Sequence, residues 1–224
     1  MTPTNRQHDQ SAEALDNLNE NGFCIATGCI PHSKIRTLSE TYDRVVAKAS
    51  AENVHTGRSS TRVNRLLKAD PIFRGLYERE ILLTAARQLI GAPFKLSCFH
   101  ARSLRPHCDL GEFHIDFRPD EQPFPLLSFI YVIDEFTERN GATRFVPCSQ
   151  IRDRAPAESD QHECREQSTP ACGPAGSLII FDGRIWHAHG ANSSSLERRS
   201  LQGSFVPSSE TSATEIDIPT FVWN

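Results

Sequence analysis

A histidine and an aspartate two positions apart, in the stretch GEFHIDFRPD (residues 111–120), are the first candidates for chemistry in this chain. If the stretch is a β-strand, the alternation of side chains places His114 and Asp116 on the same face. An imidazole beside a carboxylate can bind a metal ion, because both are common metal ligands. The chain has nine histidines, so one H-x-D pair is also expected by chance at a surface position. The pair alone therefore does not decide between a metal site and a coincidence.

A third ligand has to come from a distant strand at the same end of the fold. The stretch AGSLIIFDGRIWHAHGANSS (residues 175–194) offers two candidates, His187 and His189, which follow a run of apolar residues that predicts a buried strand. Two histidines and one carboxylate form the facial triad that holds non-haem Fe(II) and leaves further coordination positions open. A structural zinc site would favour a closed shell with closely spaced thiolates, and the sequence has no C-x-x-C pair.

The following stretch, LERRSLQGSFV (residues 196–206), supplies a candidate anion clamp. Arg198 and Ser200 lie two positions apart and hence on one face of a strand, with Arg199 on the other face. A guanidinium group and a hydroxyl group that converge inside a barrel can bind a carboxylate. The alternative is a solvated pair of arginines. In SCFHARSL (residues 97–104), His100 and Arg102 also share a face, and are interpreted either as pocket lining or as surface residues.

The elements that must position these side chains divide the chain at Gly91. Before it, four segments predict helices: SAEALDNLNENG, a segment that begins at Pro31, PIFRGLYERE and ILLTAARQLIG. FCIATGCI predicts a strand, and NVHTGRSSTRVNR predicts a polar loop. After it, short apolar or alternating segments separated by Pro, Gly and Asn are typical of an all-β sandwich or barrel. The polar stretch at residues 147–176 is expected to be a lid or rim, or an inert excursion.

The predicted fold class is mostly β, a double-stranded β-helix (jelly roll) with an N-terminal helical layer. We expect a disordered segment at residues 1–10 and a single domain over 11–224, with helices mainly at 11–91 and strands mainly at 94–206. A chain of 224 residues is long enough for one such domain with a full core.

Composition narrows the class of protein further. The net charge of −4 argues against a nucleic-acid binder, and no apolar run approaches the roughly 20 residues that a membrane helix needs. The N-terminus lacks an apolar signal-peptide core, so a cytoplasmic location is expected. Seven cysteines, an odd number, do not suggest a disulfide framework. We expect a small-molecule substrate, no nucleic-acid or membrane partner, and a monomer or homodimer.

Four ordered motifs carry a resemblance to a known family: FHIDF, ERNGATRFVPCSQ (residues 138–150), GSLIIFDGRIWHAHGANSS (residues 176–194) and RRSL. The chain resembles the phytanoyl-CoA dioxygenase family of Fe(II)- and 2-oxoglutarate-dependent oxygenases over roughly residues 20–206. That family has H-x-D, an N-G turn, P-G-S-H, then H-x-x-G-x-N, and an arginine about eleven residues after that histidine. This register selects His187 over His189 and Arg198 over Arg199. The chain departs from the pattern at residues 147–150, where it has Pro-Cys-Ser-Gln.

The resemblance implies a catalytic iron centre formed by His114, Asp116 and His187. It implies Fe(II), 2-oxoglutarate and O2 as cofactor and co-substrates, with Arg198, helped by Ser200, binding the C5 carboxylate of 2-oxoglutarate. The expected function is the oxidation, by hydroxylation, of a small molecule, in secondary-metabolite biosynthesis to judge from the NGATR turn. Desaturation, epimerisation and cyclisation with the same cofactors are alternatives. So is a metal-binding jelly roll that is non-catalytic or does not use 2-oxoglutarate. The sequence does not identify the substrate.

Overall fold

Two antiparallel β-sheets that face one another form the centre of the protein. In the computed structural model, residues 3–117, 124–152, 154–210 and 222–223 are described, without the side chains of residues 3–11 and 222. The strands are β1 (Phe23–Ala26), β2 (Val54–Thr56), β3 (Ser60–Val63), β4 (Phe94–Leu104), β5 (Leu127–Val132), β6 (Thr143–Phe145), β7 (Thr169–Pro170), β8 (Leu178–Asp182), β9 (His187–His189), β10 (Arg198–Pro207) and β11 (Val222–Trp223).

The larger sheet has the strand order β1-β8-β5-β10-β4-β3-β2, and β11 pairs with β4. The smaller sheet has the order β7-β6-β9, and a single bridge joins His114 to His187 at its edge. All pairings within the two sheets are antiparallel. Two facing sheets of this kind are the jelly-roll architecture that the sequence predicts.

Five helices cover the outer face of the larger sheet: α1 (Pro3–Asn21), α2 (His32–Ala47), α3 (Leu66–Ala69), α4 (Arg74–Tyr77) and α5 (Glu80–Ile90). A further helix, α6 (Gln161–Gln167), follows β6 in the chain and packs beside Phe113 and Trp186 instead. No helix among the described residues is both long and apolar enough to cross a bilayer. Phe99, Leu201 and Phe205 belong to the core between the larger sheet and the helices, with Tyr42 and Leu82. A second core, which includes Ile130, Phe145 and Ile179, fills the space between the sheets.

Strand alternation assigns the two faces of β4 and β10. Leu201 and Phe205 point to the helices, so Arg198, Ser200 and Gln202 point into the space between the sheets. On β4, Arg102 pairs with Ser200 and His100 with Gln202 in the strand register. The interior of the barrel therefore carries a polar row on two neighbouring strands, and this row approaches the candidate metal ligands.

Some local predictions need correction. The segment NVHTGRSSTRVNR is not a loop, because β2 and β3 form a hairpin that extends the larger sheet. The predicted strand at EFHIDF has a ladder contact only at His114. PIFRGLYERE forms a 3-10 turn and the short α4.

The N-terminal helix begins earlier than the helical pattern indicates. Helix α1 starts at Pro3 and ends at Asn21, where Gly22 takes a positive φ of 82°, a common way to end a helix. The side chains of residues 1–10 lie outside the described part of the chain. The division into a disordered segment 1–10 and one domain over 11–224 stays a prediction.

Candidate active site

Three side chains meet at the edge of the smaller sheet: His114, Asp116 and His187. One donor atom from each lies within 4.8 Å of the others, and no other group of three such residues was found in the part of the chain that the structure describes. His187 Nε2 lies 3.4 Å from Asp116 Oδ1, and the centroids of the two imidazole rings are 4.5 Å apart. His187 is buried, whereas His114 and Asp116 are exposed, so the cluster opens toward solvent on one side.

Backbone hydrogen bonds bring these distant parts of the sequence together. The His114 amide donates to the His187 carbonyl and the His187 amide to the His114 carbonyl, each at 3.0 Å. The Asp116 amide donates to the Gly183 carbonyl at 2.8 Å. The positions of all three ligand candidates are therefore fixed by main-chain contacts, independently of any bound group.

Both histidines present the same ring nitrogen to the cluster. Nδ1 of His114 lies 2.9 Å from the Glu112 carbonyl oxygen, and Nδ1 of His187 lies 2.9 Å from the Ile185 carbonyl oxygen. A carbonyl oxygen only accepts, so each Nδ1 carries a proton, and in the neutral form of either ring Nε2 has the lone pair that can bind a metal ion. A second-sphere bond of this kind orients a metal-binding imidazole.

Asp116 is held in its ionised form. Desolvation alone would raise the pKa of Asp116, but the adjacent His187 and the hydroxyl of Ser128 outweigh it and lower the pKa to about 2. Ser128 donates a hydrogen bond to Asp116 Oδ2 and lies 3.0 Å from the hydroxyl of Ser204. Two imidazole nitrogens and an ionised carboxylate form the donor set that Fe(II) takes in facial-triad sites.

The guanidinium group of Arg198 is buried and forms no ion pair with a carboxylate in the described part of the chain. Its residue exposure is 1 %, and its guanidinium group lies 4.1 Å from the centroid of the Phe136 ring. No hydrogen-bond partner for Nε or Nη1 was found among the described residues. Burial, and then the neighbouring Arg102, lower the pKa of Arg198 to about 9. A buried cation is costly unless it is paired, so the pocket fits an anionic group at this position.

The structure separates the alternatives that the sequence left open. Arg199 points the other way and pairs with Asp134 and Asp43. His189 Nε2 lies 2.9 Å from the Ser59 hydroxyl, and His189 is not part of the three-residue cluster. Ser200 is fully buried and donates to the Arg102 carbonyl oxygen at 3.3 Å.

Comparisons with known proteins agree with this geometry. The model of the family "Phytanoyl-CoA dioxygenase (PhyH)" matches residues 18–200. The chain belongs to the phytanoyl-CoA dioxygenase family. One relative, "Dioxygenase trt7" of Aspergillus terreus, is 38% identical over 143 residues, which are 62% of this chain and 45% of that protein. The chain thus matches less than half the length of this relative.

Solved structures of related fold support the jelly-roll assignment. The epimerase SnoN, in complex with Fe3+, alpha ketoglutarate and nogalamycin RO, superposes with a TM-score of 0.73 at 15% identity, over 90% of this chain and 85% of SnoN. EctD from S. alaskensis, with bound Fe, gives a TM-score of 0.73 at 18% identity, over 88% of this chain and 77% of EctD. At these identities the likeness shows the fold, and the predicted fold class is confirmed.

The family motifs have physical reasons in this member. A Cβ at Gly190 would lie 2.6 Å from the Ala142 carbonyl oxygen, so the turn after β9 packs too tightly for a side chain. Asn192 is fully buried, and its amide donates to the carbonyl oxygens of Arg105 and Leu196, each at 2.9 Å. Asn192 therefore fixes the loop that leads to Arg198.

The departure at residues 147–150 is accommodated by the backbone. Cys148 takes a positive φ of 63° at the position where the family pattern has glycine, which adopts this conformation without strain. Its amide donates to the Asn21 carbonyl oxygen at 3.0 Å. Gln150 is buried and packs against Gly22. This loop contacts the end of α1 and contributes no residue to the three-residue cluster.

The structure decides between the two interpretations of His100 and Arg102, and it adds a residue that the sequence analysis did not name. His100 is buried, and Arg102 donates to Ser60 and Gln202 at 3.2 and 3.3 Å, so both face the interior and neither is an ordinary surface residue. Ser128 was not foreseen. A lone serine within the apolar run LLSFIYVI was the available signal, because a buried hydroxyl group needs a partner.

Proposed function

We propose that this protein is an Fe(II)- and 2-oxoglutarate-dependent dioxygenase that hydroxylates a small molecule. His114, Asp116 and His187 would hold the iron, and Arg198 with Ser200 would bind the C5 carboxylate of 2-oxoglutarate. The observation that carries the proposal is the convergence of two imidazole rings and one carboxylate, in the same barrel as a buried guanidinium group. A site without 2-oxoglutarate would leave the charge of Arg198 unexplained.

The residues of the chain have separate tasks in this mechanism. Iron held by His114, Asp116 and His187, with 2-oxoglutarate, would supply the chemistry that couples O2 activation and decarboxylation of the co-substrate to oxidation of the substrate. The hydrogen bonds from Nδ1 keep both imidazoles oriented, and Ser128 fixes one oxygen of Asp116 so that the other faces the cluster. Arg198 would bind the C5 carboxylate of the co-substrate, since a planar guanidinium group matches a carboxylate. The exposed side of His114 and Asp116 leaves room for substrate to approach.

The relatives support oxygenation, and a protein of the same fold, the epimerase SnoN from nogalamycin biosynthesis, supports a biosynthetic role. Relatives named as dioxygenases come from fungi such as Aspergillus terreus and Penicillium brasilianum. Desaturation, epimerisation and cyclisation need the same cofactors, and one protein of this fold is an epimerase. Hydroxylation is proposed as the simplest outcome of this chemistry, and the substrate class is proposed as a secondary metabolite.

The first experiment is an anaerobic titration of Fe(II) into the protein with 2-oxoglutarate, followed by the weak visible charge-transfer band of the iron chelate. We expect the band in the wild type and in His189→Ala, but not in His187→Ala. His189 is a matched control because it lies two residues away on the same strand and bonds to Ser59. If iron binds to the wild type without producing the band, the protein is a metal-binding jelly roll that does not use 2-oxoglutarate.

A further inference from the structure

The polar stretch between β6 and β7 packs on the outer side of the candidate metal site. It contains 3-10 turns at Ser149–Arg152 and Glu158–Asp160, followed by α6. We call residues 149–152 and 154–167 the brace. Its buried Cys164 shares a hydrophobic cluster with Phe113, Trp186 and Ala188. These three residues are sequence neighbours of His114 and His187, and they point away from the metal side.

Three residues of the brace make four contacts with Trp186, the residue before His187. The Trp186 amide donates to the Ser149 hydroxyl at 2.8 Å, and its indole Nε1 donates to the Arg154 carbonyl oxygen at 2.8 Å. The guanidinium groups of Arg152 and Arg154 lie 4.5 and 4.9 Å from the centroid of the ring. Cation–π contacts of this kind stabilise the position of an aromatic ring.

Gln161 holds Phe113, the residue before His114, in a similar way. The Phe113 amide donates to Gln161 Oε1 at 2.9 Å, and Gln161 Nε2 donates to the Phe113 carbonyl oxygen at 3.0 Å. In an extended chain, the N–H and C=O groups of one residue point to one edge, and those of the next residue point to the other edge. Those of His114 bond to His187, so those of Phe113 face the free edge. The Gln161 amide takes the place of a neighbouring strand there.

We propose that Gln161 is a positioning residue for the metal centre, and that the brace fixes both histidine ligands from outside. The inference rests on the proposed iron site. Without the Gln161 amide, the N–H and C=O groups of Phe113 lose both of their partners on that edge. The main-chain N–H and C=O groups of His114 then keep their two hydrogen bonds to His187 without support from the other side. A loosened ligand raises the dissociation constant of the metal, because the folded protein no longer holds the three donors together in advance.

The test compares Gln161→Met with Gln167→Met, an exposed position on the same helix. Binding of Mn(II), which is stable in air, is measured from the electron paramagnetic resonance signal of the free ion, and the Tm of the metal-free protein is measured separately. We expect the dissociation constant for Mn(II) to rise about tenfold or more in Gln161→Met, the range seen when outer-sphere partners of metal ligands are removed. We expect it to stay within about twofold in Gln167→Met, which touches none of these partners.

Each other result has a definite meaning. If Gln161→Met lowers the Tm but binds Mn(II) as the wild type does, Gln161 has only a structural role and the inference is wrong. If that variant does not fold, Gln161→Glu replaces it, since a carboxylate still accepts from the Phe113 amide but cannot donate to its carbonyl oxygen. An unchanged dissociation constant in Gln161→Glu would also overturn the inference. If the wild type itself binds no Mn(II), the proposed metal site fails, and this inference fails with it.

Discussion

At the scale of single residues, the two adjacent arginines show that a shift of one position along a strand changes the role of a side chain. Arg198 faces the barrel interior, is 1 % exposed, and has a cation–π contact with Phe136. Arg199 faces the helical layer and bonds to Asp134 and Asp43. The two side chains are chemically identical. Their difference follows from strand alternation, which places neighbours on opposite faces of β10.

Replacing Arg198 by Lys should therefore weaken binding of 2-oxoglutarate and leave the charge in place. Lysine lacks the planar fork, and the loss of a charge-assisted hydrogen bond costs about 1.5–3 kcal/mol, or roughly a 10- to 150-fold higher dissociation constant. Calorimetric titration of 2-oxoglutarate into Mn(II)-loaded protein measures the change. Arg199→Lys is the matched control and should stay within about twofold. Equal losses in the two variants would contradict the assignment of Arg198 as the clamp.

At the scale of elements, the helical layer is joined to the larger sheet by more than apolar packing. Asp134, just after β5, accepts from the Arg199 amide at 2.7 Å and from its guanidinium group at 2.6 Å. The same guanidinium group reaches Asp43 on α2 at 2.6 Å. Arg199 on β10 thereby connects the turn after β5 to helix α2.

Asp134→Asn should destabilise the protein more than Asp43→Asn. Asp134 is only partly exposed, with a side-chain exposure of 27%, and loss of its charged hydrogen bonds should lower the free energy of unfolding by about 1–3 kcal/mol. Asp43 is 61% exposed, so its replacement should cost less than about 1 kcal/mol. Urea denaturation of both variants measures the difference. Equal and small effects would show that the contacts between Asp134 and Arg199 add little to the stability of the fold.

At the scale of the whole molecule, the candidate ligands come from two separate regions of the chain. His114 and Asp116 lie before β5, and His187 lies in β9, so only the folded protein brings the three donors within 4.8 Å. A metal ion that binds the folded state alone stabilises that state in proportion to the logarithm of its concentration.

Mn(II) should therefore raise the Tm of the wild type. A concentration of 100 times the dissociation constant adds about 2.7 kcal/mol to the free energy of unfolding, which corresponds to roughly 5–11 °C for a chain of this length. Differential scanning calorimetry measures the shift. His187→Ala should not show this rise in Tm, because only two of the three metal donors remain. A shift of the same size in that variant would place the ion elsewhere in the protein.

Much of the fold and of the candidate site can be predicted from the sequence, because both depend on local periodicity along the chain. Alternation along a strand places His114 on the same face as Asp116, and Arg198 on the same face as Ser200, from a spacing of two residues alone. Apolar runs broken by Pro, Gly and Asn indicate the jelly roll, and the spacing of four motifs indicates the family. These patterns depend on neighbours along the chain, so the sequence contains them directly.

The tertiary structure alone decided which distant groups meet. The sequence did not decide whether residues 147–176 form a lid, a rim or an inert excursion. Nothing in the local sequence distinguishes Gln161 from Gln167, because both are glutamines in one polar helix. Their difference is that Gln161 lies against the Phe113 peptide. Likewise, Ser128 meets Asp116 only because β5 passes beneath the H-x-D segment. Contacts of this kind depend on how the sheets close over one another. They arise from the packing of the whole chain, so they cannot be predicted from the pattern of neighbouring residues.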